Sequence, residues 1–175
     1  SSIPFIITQA FKTFPNLGNY AVLGGGLRRI QPLAFLQAKH LFNIFAANNP
    51  DFTYIPSHAF VGASKLQFLT VQSNNIAEIH ENAFIGLGTV VTISVQRNQL
   101  RSLPPNLFRP LRRLTTVFMS HNFLETLPAG MFTYNNRLHQ LGLINNRIKA
   151  IDRRFMEPIG VLNFVKNCYH KLDVG

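Results

Sequence analysis

The sequence predicts an α/β-type repeat solenoid dominated by β structure, in which each coil contributes one short strand to a parallel sheet. Three observations predict it. A mask of apolar positions recurs every 24 residues, one column of that mask is Asn and another is Phe. Inside each recurrence, a run with the period of two that a half-buried strand needs gives way to turn-favouring residues and a second apolar cluster. The clearest copy is Leu114, Val117, Met119, Asn122, Leu124, Leu127, Pro128, Met131 and Phe132. Fixed self-similarity at this period overrides any local reading, because one such coil cannot bury its own apolar face and must be stacked.

In chain order, residues 1–16 supply a partial unit through Ile3, Ile6, Ala10 and Phe11, an expected N-terminal lid. A unit near residue 17 follows, carrying Leu17, Tyr20, Val22, Leu27, Ile30, Ala34 and Phe35, with Gly25 in the Asn column. Here Gly24-Gly25-Gly26 reads as a flexible corner; a phosphate-cradling loop would need a strand-loop-helix context that is missing. The unit near 41 (Leu41, Ile44, Ala46, Asn49, Phe52, Ile55, Phe60) holds one extra residue in Pro50-Asp51, expected to bulge from the flank. Units near 66, 90, 114 and 138 repeat the mask, and a partial terminal unit occupies 162–175. The whole of 1–175 reads as one repeat domain, incomplete at both ends and expected to be a fragment of a longer chain, its caps either lying outside this sequence or dispensed with.

These residues match a known consensus. The chain resembles extracellular "typical" 24-residue leucine-rich repeat proteins, of the Toll-like, Slit-like and insect leucine-rich immune types, with the Phe of each unit and the Ile-Pro or Leu-Pro before it carrying the likeness. The resemblance implies a horseshoe with a parallel sheet on the concave face and a mostly irregular convex side. It also implies a secreted or receptor-ectodomain setting, a non-enzymatic recognition role and a place in innate immunity. One fold serves many functions, so the surface has to supply the rest.

Two columns are structural. Asn49, Asn74, Asn98, Asn122 and Asn146 fall where the chain leaves each strand, and an amide there can donate to and accept from backbone groups that the turn would otherwise bury unpaired. Phe11, Phe35, Phe60, Phe84, Phe108 and Phe132 form a stacked convex spine, which absorbs much of the Phe count of 16. Hydrophobic content of 46% with a mean hydropathy of +0.09 excludes disorder. No apolar run approaches the roughly 20 residues of a membrane span.

Residues between the buried strand positions point out of the concave face, where this fold binds. They include Phe45, then Phe68, Thr70 and Gln72, then Thr92, Ser94 and Gln96, then Thr116, Phe118 and Ser120, then Gln140, Gly142 and Ile144, and finally Phe164, Lys166 and Cys168. The strip is nearly uncharged, and aromatic anchors in a polar field suit a protein partner.

Charge lies elsewhere. The formal net charge is +10, and twelve Lys/Arg against four acids (Glu125, Asp152, Glu157, Asp173) fall from Arg97 onward. Lys65, Arg113 and Arg137 stand immediately before their strands with His40 at the equivalent point, and Arg97, Arg101 and Lys149 follow theirs. Two basic edges of this kind could engage an acidic protein or an anionic membrane, or, as an alternative to the protein partner, a polyanion such as a sulfated glycan or nucleic acid, or could simply keep the surface solvated. No Asn-x-Ser/Thr sequon interrupts them.

No catalytic constellation, metal set or cofactor motif is legible. The six His are scattered, none in a His-Glu-x-x-His pattern. Ser120 and His121 are expected to face outward together but with no acid to complete a triad. Cys168, the single Cys, has three readings: a thiol in a terminal strand, a partner for a Cys elsewhere in a longer chain, or an intermolecular disulfide.

The register itself is testable. Phe108→Ala should destabilise the fold by about 3 to 5 kcal/mol, while Thr92→Ala on the open face should change stability little; equal losses in urea unfolding would mean that the two columns are misassigned.

Overall fold

In the computed structural model, which describes residues 5–6, 8–151 and 155, the chain runs through β1 (Phe5–Ile6), α1 (Thr8–Thr13), β2 (Asn19–Leu23), β3 (Arg29–Ile30), β4 (Asn43–Ala47), β5 (Tyr54–Ile55), β6 (Phe68–Thr70), β7 (Glu78–Ile79), β8 (Thr92–Ser94), β9 (Thr116–Phe118) and β10 (Gln140–Gly142). The strands β2, β4, β6, β8, β9 and β10 form one parallel sheet in chain order, one strand per coil. The register advances by 24 residues at each step, as from Thr92 to Thr116, except between β4 and β6, where Asn43 faces Phe68. That extra residue is the one the sequence shows at Pro50-Asp51. Two minor pairs, β1 with β3 and β5 with β7, tie the coils together on the returning side. The expected seventh strand with Phe164, Lys166 and Cys168, and the lid residue Ile3, lie outside the described residues.

Each coil turns its corner in the same way. Gly24, Asn48, Ser73, Arg97, His121 and Asn145 all adopt a left-handed backbone with φ between 52° and 58°. Five of them donate their N–H to a carbonyl of the next coil, as Arg97 does to Ser120 at 3.0 Å and His121 to Ile144 at 2.7 Å. Such a conformation costs a side-chain-bearing residue about 1 to 2 kcal/mol, which these inter-coil bonds offset. Gly24, in the Gly24-Gly25-Gly26 corner, therefore holds the common corner geometry: its N–H reaches the Ala47 carbonyl at 3.0 Å.

The next residue along is the Asn column, and the structure places its amides inside. Asn122 Oδ1 accepts from the Leu100 N–H at 3.1 Å, and its Nδ2 donates to the carbonyls of Val95 and Met119, each at 3.0 Å. Asn98 and Asn146 repeat this pattern one coil away on either side. The inserted residue rewires the ladder locally. Asn74 Oδ1 accepts from the N–H of Asn49 at 2.9 Å, while the Phe52 N–H, which the repeat would have sent there, turns to the Asn49 carbonyl at 3.1 Å. The insertion does not simply bulge. Asn75 Nδ2 donates to the Pro50 carbonyl, and Asp51 pairs with Arg28 at 3.3 Å.

On the convex side the Phe spine is continuous. Phe11, Phe35, Phe60, Phe84, Phe108, Phe132 and Phe155 are all buried, with successive ring centroids 5.0 to 6.2 Å apart. The helix α1 exists to deliver Phe11 to this stack, where Tyr20 also meets it at 5.4 Å. Burial raises the Tyr20 phenol above its ordinary pKa.

Close coil-to-coil approach on this side fixes one glycine. A Cβ at Gly62, whose φ is +103°, would collide with the Phe35 carbonyl oxygen and the Leu36 Cα, whereas nothing lies within 4 Å of one at Gly88. Gly62→Ala should therefore lower stability by about 2 to 4 kcal/mol while Gly88→Ala stays within about 1 kcal/mol of the parent, measured by denaturant midpoint at constant slope.

Candidate functional site

The concave face is built by the outward residues of β2, β4, β6, β8, β9 and β10, and inter-coil registry brings them into rows. Its two halves differ. In the half formed by β8 to β10 the expected polar lining has largely sunk: Ser94 is 4% exposed and Ser120 5%. Both were expected to face a partner, and both are corrected here. Ser120 Oγ accepts the backbone N–H of Ile144 at 3.1 Å, so its hydroxyl satisfies the neighbouring coil. Ser94 is opposite Phe118 in the register and receives Gln96 Nε2 at 3.2 Å. The paired outward exposure of Ser120 and His121 is lost with it; His121 Nδ1 contacts Asn145 Nδ2 instead. Phe118 is half-buried, and a Cβ at Gly142 would lie 3.0 Å from its Cδ1, so the ring lies over Gly142. Gln140 and Ile144 remain half-buried beside it.

In the half formed by β2 to β6 apolar side chains stay in solvent. Phe68 is 36% exposed and Phe42, which the sequence reading passed over, is 42% exposed. Their rings meet edge to face with centroids 5.2 Å apart. Phe45 is half-buried on β4, with Thr70 as its register partner on β6, and Gln72 follows half-exposed. Leu23, level with Ala47 at the other end of the strands, is 61% exposed. Phe42 precedes the alternating positions of its strand, in a column filled elsewhere by Gln67, Val91, Thr115 and His139. The only sequence signal was a large apolar residue standing where other units do not require one.

The two flanks also differ, against the expectation of two basic edges. Lys65, Arg113 and Arg137 are exposed on the edge leading into the strands, along with Lys39, His40 and Arg112. The edge that follows the strands is mixed. There Arg101 and Lys149 share a column with Glu125, whose N–H bonds the Arg101 carbonyl at 3.2 Å; Asp51 and Glu78 lie on the same side, and Arg97 is held at the corner. The sign on this side varies from coil to coil, so its charges do not add to a row. Cys168 falls outside the described residues.

Comparisons with known proteins bear on the whole of this architecture. A family model described as leucine rich repeat matches residues 64–124 and 89–148, and one described as BspA type leucine rich repeat region, in six copies, matches residues 1–87. Comparison with curated proteins gives no match. Among solved structures the chain is similar to one in the Toll–Spatzle complex, a molecular hub in Drosophila development and innate immunity, at 24% identity and a TM-score of 0.76 over 85% of this chain and 20% of that one. It is similar also to one in the glycosylated form of that complex, at 22% identity and a TM-score of 0.68, over 86% of this chain and 23% of that one. The chain thus spans about a fifth of the length of the solved chains it matches. At these identities the likeness is one of fold.

Proposed function

Because the chain belongs to the leucine-rich repeat family, whose models together span residues 1–148, we propose that it is a non-enzymatic, extracellular recognition module that binds a protein partner on its concave face, in an innate-immune setting. The observation that carries this reading is the uncharged aromatic patch of Phe42, Phe45 and Phe68 on β4, β6 and the residue leading into β4. Paired rings exposed on a rigid sheet have little conformational entropy left to lose on docking, and desolvated aromatics are where interface energy concentrates. Half-exposed Thr70 and Gln72 beside them offer the polar rim that protein interfaces use.

The setting is supported by resemblance. The repeat type and the fold likeness to chains of a complex named for innate immunity motivate it, and no helix among the described residues is long and apolar enough to cross a membrane.

The test is a binding screen of the intact chain against secreted proteins, followed by kinetics on any partner found. Phe42→Ala with Phe68→Ala should raise the dissociation rate, each ring contributing about 2 kcal/mol or roughly 30-fold. Gln140→Ala on the other half of the sheet should change the rate less than about threefold. Retained affinity in the double Phe variant, with its fold intact by circular dichroism, would overturn the concave-face reading.

A further inference from the structure

We propose that the flank leading into the strands is a docking surface for a sulfated polysaccharide, separate from the concave face. The stacking of the coils creates it. Backbone bonds run from Gln67 to Phe42, from Val91 to Gln67, from Thr115 to Val91 and from His139 to Thr115, each from an N–H to a carbonyl at 2.9 to 3.0 Å. Two residues upstream of these rungs stand His40, Lys65, Thr89, Arg113 and Arg137, which are thereby held in one row across five coils. Lys39 and Arg112 stand beside it in the preceding column, three coils apart with Ser64 and Gly88 between them. With coils about 4.8 Å apart the row is roughly 20 Å long. Thr89 interrupts it, its hydroxyl spent on the carbonyls of Ser64 and Leu66.

Among the described residues the sign of the row is unopposed. Every carboxylate among the described residues (Asp51, Glu78, Glu81, Glu125) belongs to the segments that follow the strands, and the ion pair found there, Arg28 with Asp51, is on that other side. Among the described residues no carboxylate reaches Lys39, Lys65, Arg112, Arg113 or Arg137. Cations in such a row repel one another at no gain to the fold, and the repulsion is relieved by a ligand that brings regularly spaced permanent anions.

The occupant follows from what else the flank provides. Among the described residues, Tyr134 lies against the guanidinium groups of Arg109 at 5.2 Å and Arg112 at 4.6 Å. That ring orients cations and is not free to stack a base, which single-stranded nucleic acids require. The exposed rings of Phe42 and Phe68 lie at the flank's margin, and the row itself, from His40 to Arg137, carries no apolar side chain of the kind that centres a protein interface. A duplex presents phosphates on two strands across a groove about 12 Å wide, whereas this is a narrow band of charge. One linear chain with ionised groups every few ångströms, the chemistry of a sulfated polysaccharide, fits the band.

The experiment measures binding of the intact chain to a size-defined heparin oligosaccharide, to the same oligosaccharide after desulfation, and to a 20-base-pair DNA duplex, at 50 and 200 mM salt. Heparin should bind, with affinity falling on the order of 100-fold between the two salts if about four contacts release counterions as they do on DNA. The triple variant Lys65→Glu, Arg113→Glu, Arg137→Glu should lose at least about 30-fold, an effect of reversed charges on counterion-linked binding. Its fold is checked by circular dichroism, with the Gln versions substituted should it not fold. The opposite-flank variant Arg101→Glu, Lys149→Glu should stay within about threefold of the parent, since surface charges beyond a Debye length are screened. Equal losses in both variants, tighter binding of the duplex, undiminished binding of desulfated heparin, or no binding at 50 mM would each overturn the proposal. The concave-face reading is untouched by any of these outcomes, since Phe42 and Phe68 are not altered.

Discussion

The structure depends on how each coil satisfies its buried corner. Where the chain leaves the strand it must reverse, and a reversal inside a stack buries backbone donors and acceptors that no sheet can reach. The side-chain amide of the Asn column supplies both kinds of group at once. Asn98 shows the arrangement: Oδ1 takes the Ile76 N–H at 3.1 Å, and Nδ2 gives to Val71 and Val95 at 2.8 and 3.0 Å. Every other regularity, the parallel sheet, the left-handed corner residue and the Phe spine, repeats because this corner repeats. Replacing one amide with an apolar side chain would leave backbone groups of two coils unpaired, each costing about 1 to 3 kcal/mol.

Most of the fold was legible because the period is longer than any local preference and survives noise at individual positions. The Phe spine and the Asn ladder fell out of the mask, down to the one-residue insertion that shifts the register between β4 and β6. The left-handed corner was not legible. Arg97 occupies it at φ 54°, and Arg is not among the residues that favour that conformation; inter-coil hydrogen bonds impose it, and such bonds leave no trace in composition. The rewired amide of Asn74 was hidden for a related reason. An insertion is visible in the sequence, but the choice among competing acceptors depends on where Pro50, which has no N–H, comes to sit.

The candidate site was legible in direction and illegible in depth. Alternation assigns each strand residue to a face, and among the residues it turns outward Phe68 is exposed while Phe45 and Phe118 are half-buried. It says nothing of how much neighbours cover. Ser94 and Ser120 point inward to the bend of the sheet, where the Phe118 ring and an acceptor-hungry Ile144 N–H claim the space and the hydroxyl. Phe42 was missed for the opposite reason: it lies just ahead of the alternating run, and only packing against Phe68 gives it a place on the face.

A solenoid turns any choice of residue in one column into a row, and two unlike rows here share an edge. Phe42 follows His40 by two residues and Phe68 follows Lys65 by three, so at about 3.3 Å per residue the aromatic pair lies within roughly 10 Å of the basic flank. That is close to the Debye length of about 8 Å at physiological salt. An acidic protein approaching Phe42 and Phe68 therefore passes through the field of the flank, which acts on the rate of encounter, while the rings act on the rate of departure. The mixed flank on the far side, with Asp51 and Glu78 among its cations, offers no such field. The same stacking that fixes the corners thus gives the sheet one charged approach and one neutral one, and the exposed rings sit at the charged side.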